Sequence, residues 1–343
     1  MSVNPKASAI AWSEILLWQA VLPDPLGERG PLHLLYVLSI VAPVFGLIAV
    51  GYVSGKTGFV SEVGRKGLSE FAFLLAIPAL LFHRMATAEF PDTLPFGLWI
   101  SFFGSALLTG ALGIFVATRI FGRSAPDGVS VGMSAMYANV VMLGIPITVG
   151  RYGDAALVPL ALVILLQPPL MWLSALAAMG IADNQAKKGP AELLSDLAAT
   201  LFRNPVVIAT LAGAFWAWSG IGLAGPVDKL LSLLAGSGIP AALVALGLAL
   251  TQFRIAGQMP TLISIVALKL FVMPLIAWVL AHLVFELPTV WTGVVVLLAA
   301  MPTGANAFLF ADRFGRAVNS ASGAVALGTT LAALSITLLL LVL

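Results

Sequence analysis

The chain has 343 residues, of which 60% are hydrophobic and 9% are charged, and its mean hydropathy is +1.05. Soluble domains carry about 25% charged residues, so this composition predicts an integral membrane protein with little mass outside the bilayer. There are no cysteines and the net charge is +2, so disulfides and thiolate metal sites are excluded. No polar segment is long enough for a nucleotide-binding domain, and we predict no nucleic-acid partner, no cofactor, no metal and no catalytic residue.

Residues 1–31 are predicted to form an extracytoplasmic leader. Apolar residues such as Trp12 and Trp18 are interspersed with polar residues such as Glu14 and Gln19. The apolar stretches are therefore too short, and the segment is too polar, to span a bilayer. An interfacial helix lying on the membrane is favoured, and a disordered leader is the alternative.

Ten apolar runs of about 20 residues follow, the length that a hydrocarbon core of roughly 30 Å requires. We place the spans at 32–53, 68–86, 95–119, 129–150, 155–180, 204–220, 230–251, 259–284, 289–311 and 317–342. The chain therefore divides into a first five-helix half (32–180), a polar linker (181–203) and a second five-helix half (204–343).

The basic residues of the short loops predict the orientation, because they collect on the cytoplasmic side. One side carries Lys56, Arg65, Lys66, Arg119, Arg123, Lys187, Lys188, Arg203, Arg254, Arg313 and Arg316. The other carries Lys6, Arg29, Arg84, Arg151 and Lys229. Eleven against five predicts a cytoplasmic linker and extracytoplasmic termini in the cell (inner) membrane.

The two halves repeat at an offset of 162 residues. Adding 162 takes Pro43 to Pro205, Gly51 to Gly213, Ile77-Pro78-Ala79 to Ile239-Pro240-Ala241 and Arg151-x-Gly153 to Arg313-x-Gly315. Because each copy has an odd number of spans, the copies must insert with opposite topology, as the inverted repeats of secondary transporters do. The fold class is therefore an all-α membrane protein with ten transmembrane helices in two inverted five-helix repeats.

The fourth span is interrupted by polar and helix-breaking residues. Asn139 precedes Gly144-Ile145-Pro146. Pro146 lacks an N–H and its ring clashes with the preceding turn, Gly144 allows close backbone approach, and Asn139 is a suitable N-cap. The helix is expected to break within residues 137–151, near Asn139 or shifted toward Gly144 and Pro146.

The ninth span has a matching interruption. Pro302 suits the first position of a new half-helix, and Thr303 and Asn306 add polar side chains one turn apart. If both half-helices begin near the midplane, two positive dipole ends and several unpaired N–H groups face one point, which is an anion site. A simple kink is the alternative for each residue alone.

Two further polar residues lie at membrane depth. Lys269 lies in the middle of the eighth span, and it either neutralises an anionic substrate, braces the crossing or snorkels to the interface. Gln167 opens Gln167-Pro168-Pro169 in the fifth span, where it either faces the cavity or satisfies a loosened backbone. No acidic residue lies securely at mid-depth, so carboxylate-based ion coupling is not indicated. A channel is disfavoured for lack of a charge ring.

These residues resemble a known family. Asn139-Val-Val-Met-Leu-Gly144-Ile145-Pro146, Arg203-Asn204-Pro205 and Ala300-Met301-Pro302-Thr303-Gly304 resemble motifs of the auxin efflux carrier family, which includes plant PIN auxin exporters and bacterial malonate-type carriers. The resemblance covers residues 32–342, and Lys269 and Gln167 match polar positions of the family.

The resemblance implies a fold and a mechanism. It implies that the broken fourth and ninth helices cross, that spans 1, 2, 6 and 7 form a scaffold and spans 3–5 and 8–10 a transport domain, and that access alternates in an elevator-like way, commonly in a homodimer. Plant members have a Pro-Asn pair at the fourth-span crossover, whereas Ala138 precedes Asn139 here.

We therefore expect a secondary transporter for a small organic anion, a carboxylate such as malonate or an auxin-like acid. The expected substrate-binding residues are Asn139, Gly144, Pro146, Gln167, Lys269, Pro302, Thr303 and Asn306, with apolar walls from Val140, Met142, Leu143 and Phe308. The main alternative is a sodium-coupled organic-anion symporter of the bile-acid-transporter type. An intramembrane enzyme and a sensor without transport are more distant alternatives.

Overall fold

A computed structural model describes residues 31–88, 95–183, 204–255 and 259–343 of the chain. Residues 1–30 and 184–203 lie outside the described ranges, so the predicted interfacial helix, most of the linker and its basic residues are not described.

The described chain is helical. In chain order its segments are α1 (Pro31–Lys56), α2 (Glu62–Ala86), α3 (Phe96–Ile120), α4 (Ala125–Met136), α5 (140–152), α6 (Leu157–Ala182), α7 (Pro205–Trp218), α8 (Gly225–Leu250), α9 (Met259–Val284), α10 (Thr289–Ala300), α11 (Ala305–Phe314) and α12 (Val318–Leu340). The described residues form no strand, apart from one isolated antiparallel bridge between Ala138 and Thr303.

Seven of the described helices are long and apolar enough to cross a membrane. They are α1, α2, α3, the stretch Val140–Ala182, α8, α9 and α12. The 43-residue stretch Val140–Ala182 contains both α5 and α6, which meet at Gly153, where a φ of 58° ends α5. Seven such helices in one chain make this an all-helical, multi-pass membrane protein.

Besides the 14-residue α7, four described segments are too short to cross alone, and these four form two pairs. The 12 residues of α4 and of α10 rise about 18 Å at 1.5 Å per residue, well short of a core of roughly 30 Å. Each is followed after a few residues by a second short helix, α5 after α4 and α11 after α10. The interruptions lie at residues 137–139 and 301–304.

The two short helices α4 and α10 lie in the core. Every residue from 128 to 136 and from 292 to 300 is buried. A helix that is buried on all sides over most of its length lies at the centre of a bundle. Each interruption therefore begins inside protein, where irregular backbone is tolerated at membrane depth.

Glycines bring pairs of long helices into backbone contact. On α1, a Cβ at Gly51 would collide with the carbonyl of Val244 on α8. On α7, a Cβ at Gly213 would collide with the carbonyl of Phe82 on α2. Small residues at such contacts allow close packing between membrane helices, where association depends on van der Waals contact.

Charged groups lie mostly at helix ends. Arg84 Nη1 lies 2.9 Å from Asp154 Oδ1, and His83 Nε2 lies 2.8 Å from Asp228 Oδ1. Within the described ranges, Lys269 on α9 is the one charged side chain that is buried, at 0% exposure.

Candidate functional site

The two interruptions pair with each other. The backbone N–H of Asn139 donates to the carbonyl of Pro302 at 2.9 Å, and the N–H of Gly304 donates to the carbonyl of Tyr137 at 3.0 Å. These two bonds flank the antiparallel bridge between Ala138 and Thr303. We call residues 137–139 and 302–304 the crossing. Each interruption thus satisfies backbone groups that the other has freed.

Side chains donate hydrogen bonds to the backbone carbonyls that the interruptions leave without a helical partner. Gln167 Nε2 donates to the Ala138 carbonyl at 2.7 Å, and Thr303 Oγ1 donates to the Ser134 carbonyl at 2.8 Å. On the other side, Lys269 Nζ donates to the carbonyl of Ala299, near the C-terminal end of α10. An ammonium group there offsets the negative end of the helix dipole.

Backbone N–H groups at the starts of α5 and α11 remain open. Val141 and Met142 in the first turn of α5, and Ala305 and Asn306 in the first turn of α11, have no hydrogen-bond acceptor among the described residues. Ala305 is exposed and the other three are half-buried. Unpaired N–H groups at helix N-termini form an anion-binding site.

At the crossing, the carbonyl groups and the N–H groups therefore differ in how many have partners. The Ala138 carbonyl within the crossing accepts from Gln167, and the Ser134 and Ala299 carbonyls beside it accept from Thr303 and Lys269. The N–H groups of the two helix starts, in contrast, have no acceptor among the described residues. The unpaired groups at the crossing are therefore mostly N–H donors, which suit an anion, and Gln167 Oε1 is a buried acceptor without a partner among the described residues.

Asn139 lies where the sequence predicted, at the start of α5, but its side chain does not cap the helix. Its exposure is 7%, and its amide has no hydrogen-bond partner within the described part of the chain. The amide is therefore available to a ligand at the crossing.

Gly144 and Pro146 do not mark the break, contrary to one expectation. The chain breaks before Val140, and both residues lie inside α5. A π-helical turn, in which the N–H of Gly144 donates to the Asn139 carbonyl at 3.1 Å, precedes Pro146. A Cβ at Gly144 would lie 2.8 Å from Leu298 Cδ2, so Gly144 allows α5 to pack on α10.

Pro302 also differs from expectation. It does not begin a half-helix: α11 begins at Ala305, and Pro302 lies in the crossing, where its carbonyl accepts from Asn139. Thr303 is buried and its hydroxyl is occupied. Asn306 is half-buried, and its Nδ2 donates to the hydroxyl of Tyr137 at 2.7 Å.

The other two polar residues contact backbone carbonyls. Gln167 donates to the Ala138 carbonyl and Lys269 donates to the Ala299 carbonyl, and a role of either residue in substrate binding stays a prediction. Of the expected apolar walls, Met142 and Phe308 are half-buried, whereas Val140 and Leu143 are packed in the core.

Sequence reasoning missed Tyr137 and Ser134. Each bonds a residue 169 positions later, Tyr137 to Asn306 and Ser134 to Thr303. Tyr137 lies directly before the Ala138-Asn139 pair, and this adjacency was the available signal for it. Ser134 contributes only its backbone carbonyl, for which the sequence carries no signal.

A separate cavity of about 140 Å³ lies between α3, α4 and α6. Gly110, Gly132, Met136 and Ser174 are among its lining residues, and none of the four open N–H groups lines it. Within the described ranges, no three His, Asp or Glu side chains are grouped so as to hold a metal ion.

Comparison with known proteins identifies the family. A model described as "Membrane transport protein" matches residues 36–340. The chain belongs to this family of membrane transport proteins. The match confirms the resemblance to the auxin efflux carrier family and makes the chain a membrane transporter by family.

Two curated relatives align with most of this chain. The protein named "Putative malonate transporter" in Rhizobium meliloti (strain 1021) is 26% identical over 305 residues, which is 89% of this chain and 95% of the relative. The protein named "Auxin efflux carrier component 8" in Arabidopsis thaliana is 24% identical over 338 residues, 82% of this chain and 90% of the relative.

Proposed function

We propose that the protein is a secondary transporter that carries a small organic anion with a carboxylate across the cell (inner) membrane. The observation that carries the proposal is the polarity of the crossing. Open N–H groups at the starts of α5 and α11 meet the unpartnered amide of Asn139, and side chains occupy the neighbouring carbonyls.

The charge of the crossing supports a ligand with one bound carboxylate. A helix N-terminus is equivalent to roughly half a positive charge, so two helix starts balance about one carboxylate. Lys269 adds positive charge nearby, but its ammonium group is held by Ala299. Malonate, suggested by the Rhizobium relative, would present its second carboxylate away from the crossing, and an auxin-like acid would present an apolar ring there.

Ten spans in two inverted repeats are the architecture that we propose for this transporter. The 162-residue offset takes Gly51 to Gly213 and Phe82 to Val244. The structure has Gly51 against the Val244 carbonyl and Gly213 against the Phe82 carbonyl. The same contact thus occurs twice: in one copy the glycine lies in the first half and the carbonyl in the second, and in the other copy the reverse holds. A twofold relation between the halves requires this exchange. The equal lengths of α4 and α10 also support the repeat.

The mechanism that fits this architecture is elevator-type exchange of access. The scaffold would contain α1, α2, α7 and α8, which pack through the glycine contacts. The transport domain would contain α3–α6 and α9–α12, with the crossing at its centre. We propose a cytoplasmic linker, extracytoplasmic termini and a homodimer.

The sodium-coupled symporter is the alternative. The carbonyl oxygens of Ala138, Pro302 and Ala299 each already accept a hydrogen bond, whereas Gln167 Oε1 has no partner among the described residues and is an oxygen that a sodium ion could use. Transport that persists when choline replaces sodium would remove this alternative, and loss of transport in choline would favour it.

The test of the proposed function is ligand-induced thermal stabilisation of the purified protein. The ligands are indole-3-acetate, malonate, monomethyl malonate and dimethyl malonate. We expect the carboxylates to stabilise the protein and the dimethyl ester to leave it unchanged. Asn139→Ala should weaken carboxylate binding about 10- to 100-fold, as loss of a hydrogen bond to a charged group does.

The matched control is Asn319→Ala, since Asn319 is exposed at the start of α12. It should leave both the melting temperature and the ligand response unchanged. Full stabilisation of Asn139→Ala by a carboxylate that stabilises the wild type would show that the crossing is not the binding site.

A further inference from the structure

Tyr137 is a buried phenol at the crossing. Its exposure is 5%, and its ring packs on Gly304, where a Cβ would lie 3.1 Å from Tyr137 Cδ1. Its own carbonyl accepts from the N–H of Gly304. The ring is therefore fixed between the two interruptions, and its hydroxyl lies beside the first turn of α11.

The hydroxyl has one donor and two acceptor lone pairs. Asn306 Nδ2, 2.7 Å away, occupies an acceptor position. An amide nitrogen only donates, so the phenolic hydrogen must be directed to another atom. No acceptor for it is found among the described residues. Buried donors normally have a partner, whereas this O–H group has none among the described residues, so a ligand is a candidate acceptor for it.

We propose that the Tyr137 hydroxyl donates a hydrogen bond to the bound carboxylate. The proposal rests on the proposed function and adds a residue to its site. A phenol is a neutral donor, and its hydrogen bond to an ionised oxygen is stronger than one to a neutral acceptor. Asn306 is then a positioning residue, because its amide holds the phenol and directs the O–H group away from itself.

This arrangement implies a preference among ligands. The donors near the crossing that lack protein partners are the Tyr137 hydroxyl, the Asn139 amide and four backbone N–H groups, and all of them are neutral. Together these donors can satisfy the ionised oxygens of one carboxylate, which accept hydrogen bonds and donate none. The substrate class is therefore a small organic acid that presents one ionised carboxylate to the crossing.

The first test is Tyr137→Phe, which retains the ring on Gly304 and removes only the hydroxyl. We expect about 10- to 100-fold weaker binding of indole-3-acetate and malonate by purified full-length protein. Tyr152→Phe is the control, because Tyr152 ends α5 away from the crossing, and its affinity should equal that of the wild type. The melting temperature of each ligand-free variant checks the fold.

The outcomes separate this inference from the proposed function. Wild-type affinity in Tyr137→Phe together with weakened binding in Asn139→Ala would overturn the role of Tyr137 and leave the carboxylate site standing. Wild-type affinity in both variants would overturn the site itself, and with it both proposals. A wild-type protein that binds neither ligand would overturn the substrate class on which both depend.

A second measurement does not require the Tyr137 variant to fold. The chain has four tyrosines, at positions 36, 52, 137 and 152, so protein labelled with 3-fluorotyrosine gives four fluorine resonances. Phe variants at the other three positions assign the fourth signal to Tyr137. We expect indole-3-acetate to shift that signal more than the others, and an unmoved Tyr137 signal at saturating ligand would overturn the proposal.

Discussion

The hydroxyl of Thr303 donates a 2.8 Å hydrogen bond to the carbonyl of Ser134, a residue 169 positions earlier in the chain. Ser134 lies in the last turns of α4, where carbonyls have no partner within the helix. A side chain of one interruption thus caps the helix that leads into the other.

Thr303→Val tests this cap. Valine has nearly the same shape but cannot donate, so a buried carbonyl loses its partner. We expect the free energy of unfolding to fall by about 1–3 kcal/mol, measured as a lower melting temperature of the ligand-free protein. Thr330→Val is the control, because Thr330 bonds Ala326 on an exposed helix face. Equal melting temperatures for Thr303→Val and the wild type would contradict the cap.

Gln167→Glu tests the polarity of the crossing. A carboxylate at this position cannot donate to the Ala138 carbonyl, and it adds negative charge beside the proposed anion site. We expect carboxylate binding to weaken by more than tenfold, since like charges separated by a few ångströms at low dielectric repel by several kcal/mol. Isothermal titration with indole-3-acetate measures the effect.

Gln167→Met separates charge from hydrogen bonding at the same position. It removes the bond to Ala138 without adding charge, so it should lower stability by about 1–3 kcal/mol and reduce affinity less than Gln167→Glu does. If both variants bind equally well, repulsion at the site is not the cause.

Lys269→Met tests whether the charge of Lys269 contributes to carboxylate binding without direct contact. Lys269 bonds Ala299, and three residues of extended chain span at most about 10 Å, so Ala299 and Pro302 lie no farther apart than that. We take about 10 Å as the order of the distance from the Lys269 charge to a carboxylate at the crossing, where a unit charge contributes roughly 1.7 kcal/mol at an effective dielectric of 20. We expect carboxylate affinity to fall somewhat more than tenfold in a titration. Unchanged affinity would leave Lys269 with a structural role only.

Gly247→Ala tests the scaffold contact. A Cβ at Gly247 would collide with the carbonyl of Ile48 on α1. We expect overpacking to lower stability by about 1–3 kcal/mol. Gly236→Ala on the same helix is the matched control, because no atom lies within 4 Å of its Cβ. It should be neutral or stabilising, and equal melting temperatures in the two variants would contradict the close contact of α1 and α8.

The sequence predicted the helical class and the two interruptions, because both depend on composition and local chemistry. Long apolar runs indicate membrane helices. Asn139 and Pro302 would raise the free energy of an uninterrupted membrane helix, so they indicate a break. The predicted span limits agree with the described helices to within several residues at most ends. The family and the general place of Asn139, Gln167, Thr303 and Asn306 were also accessible from sequence patterns.

The position of the first break could not be predicted from the sequence, because it depends on tertiary contacts. Pro146 is the stronger local breaker, but a π-helical turn accommodates it inside α5. The chain opens instead at Ala138, because Pro302 and Gly304 supply partners for its neighbours there. Hydrogen bonds between residues more than 160 positions apart leave no mark on local propensity, and the Tyr137–Asn306 pair was missed for the same reason.

The pairing of Ala138 with Thr303 also affects how the chain is made. Thr303 follows 165 residues later, from position 138 to position 303. At a synthesis rate of about 5–20 residues per second, residues 137–139 wait on the order of ten seconds for their partners. During that interval the first half of the chain is in the membrane with its central backbone groups unsatisfied. The newborn protein therefore passes through a stage in which these backbone groups depend on water or on another protein for hydrogen bonds, since lipid tails supply none, and mutations at the crossing should reduce yield before they reduce activity.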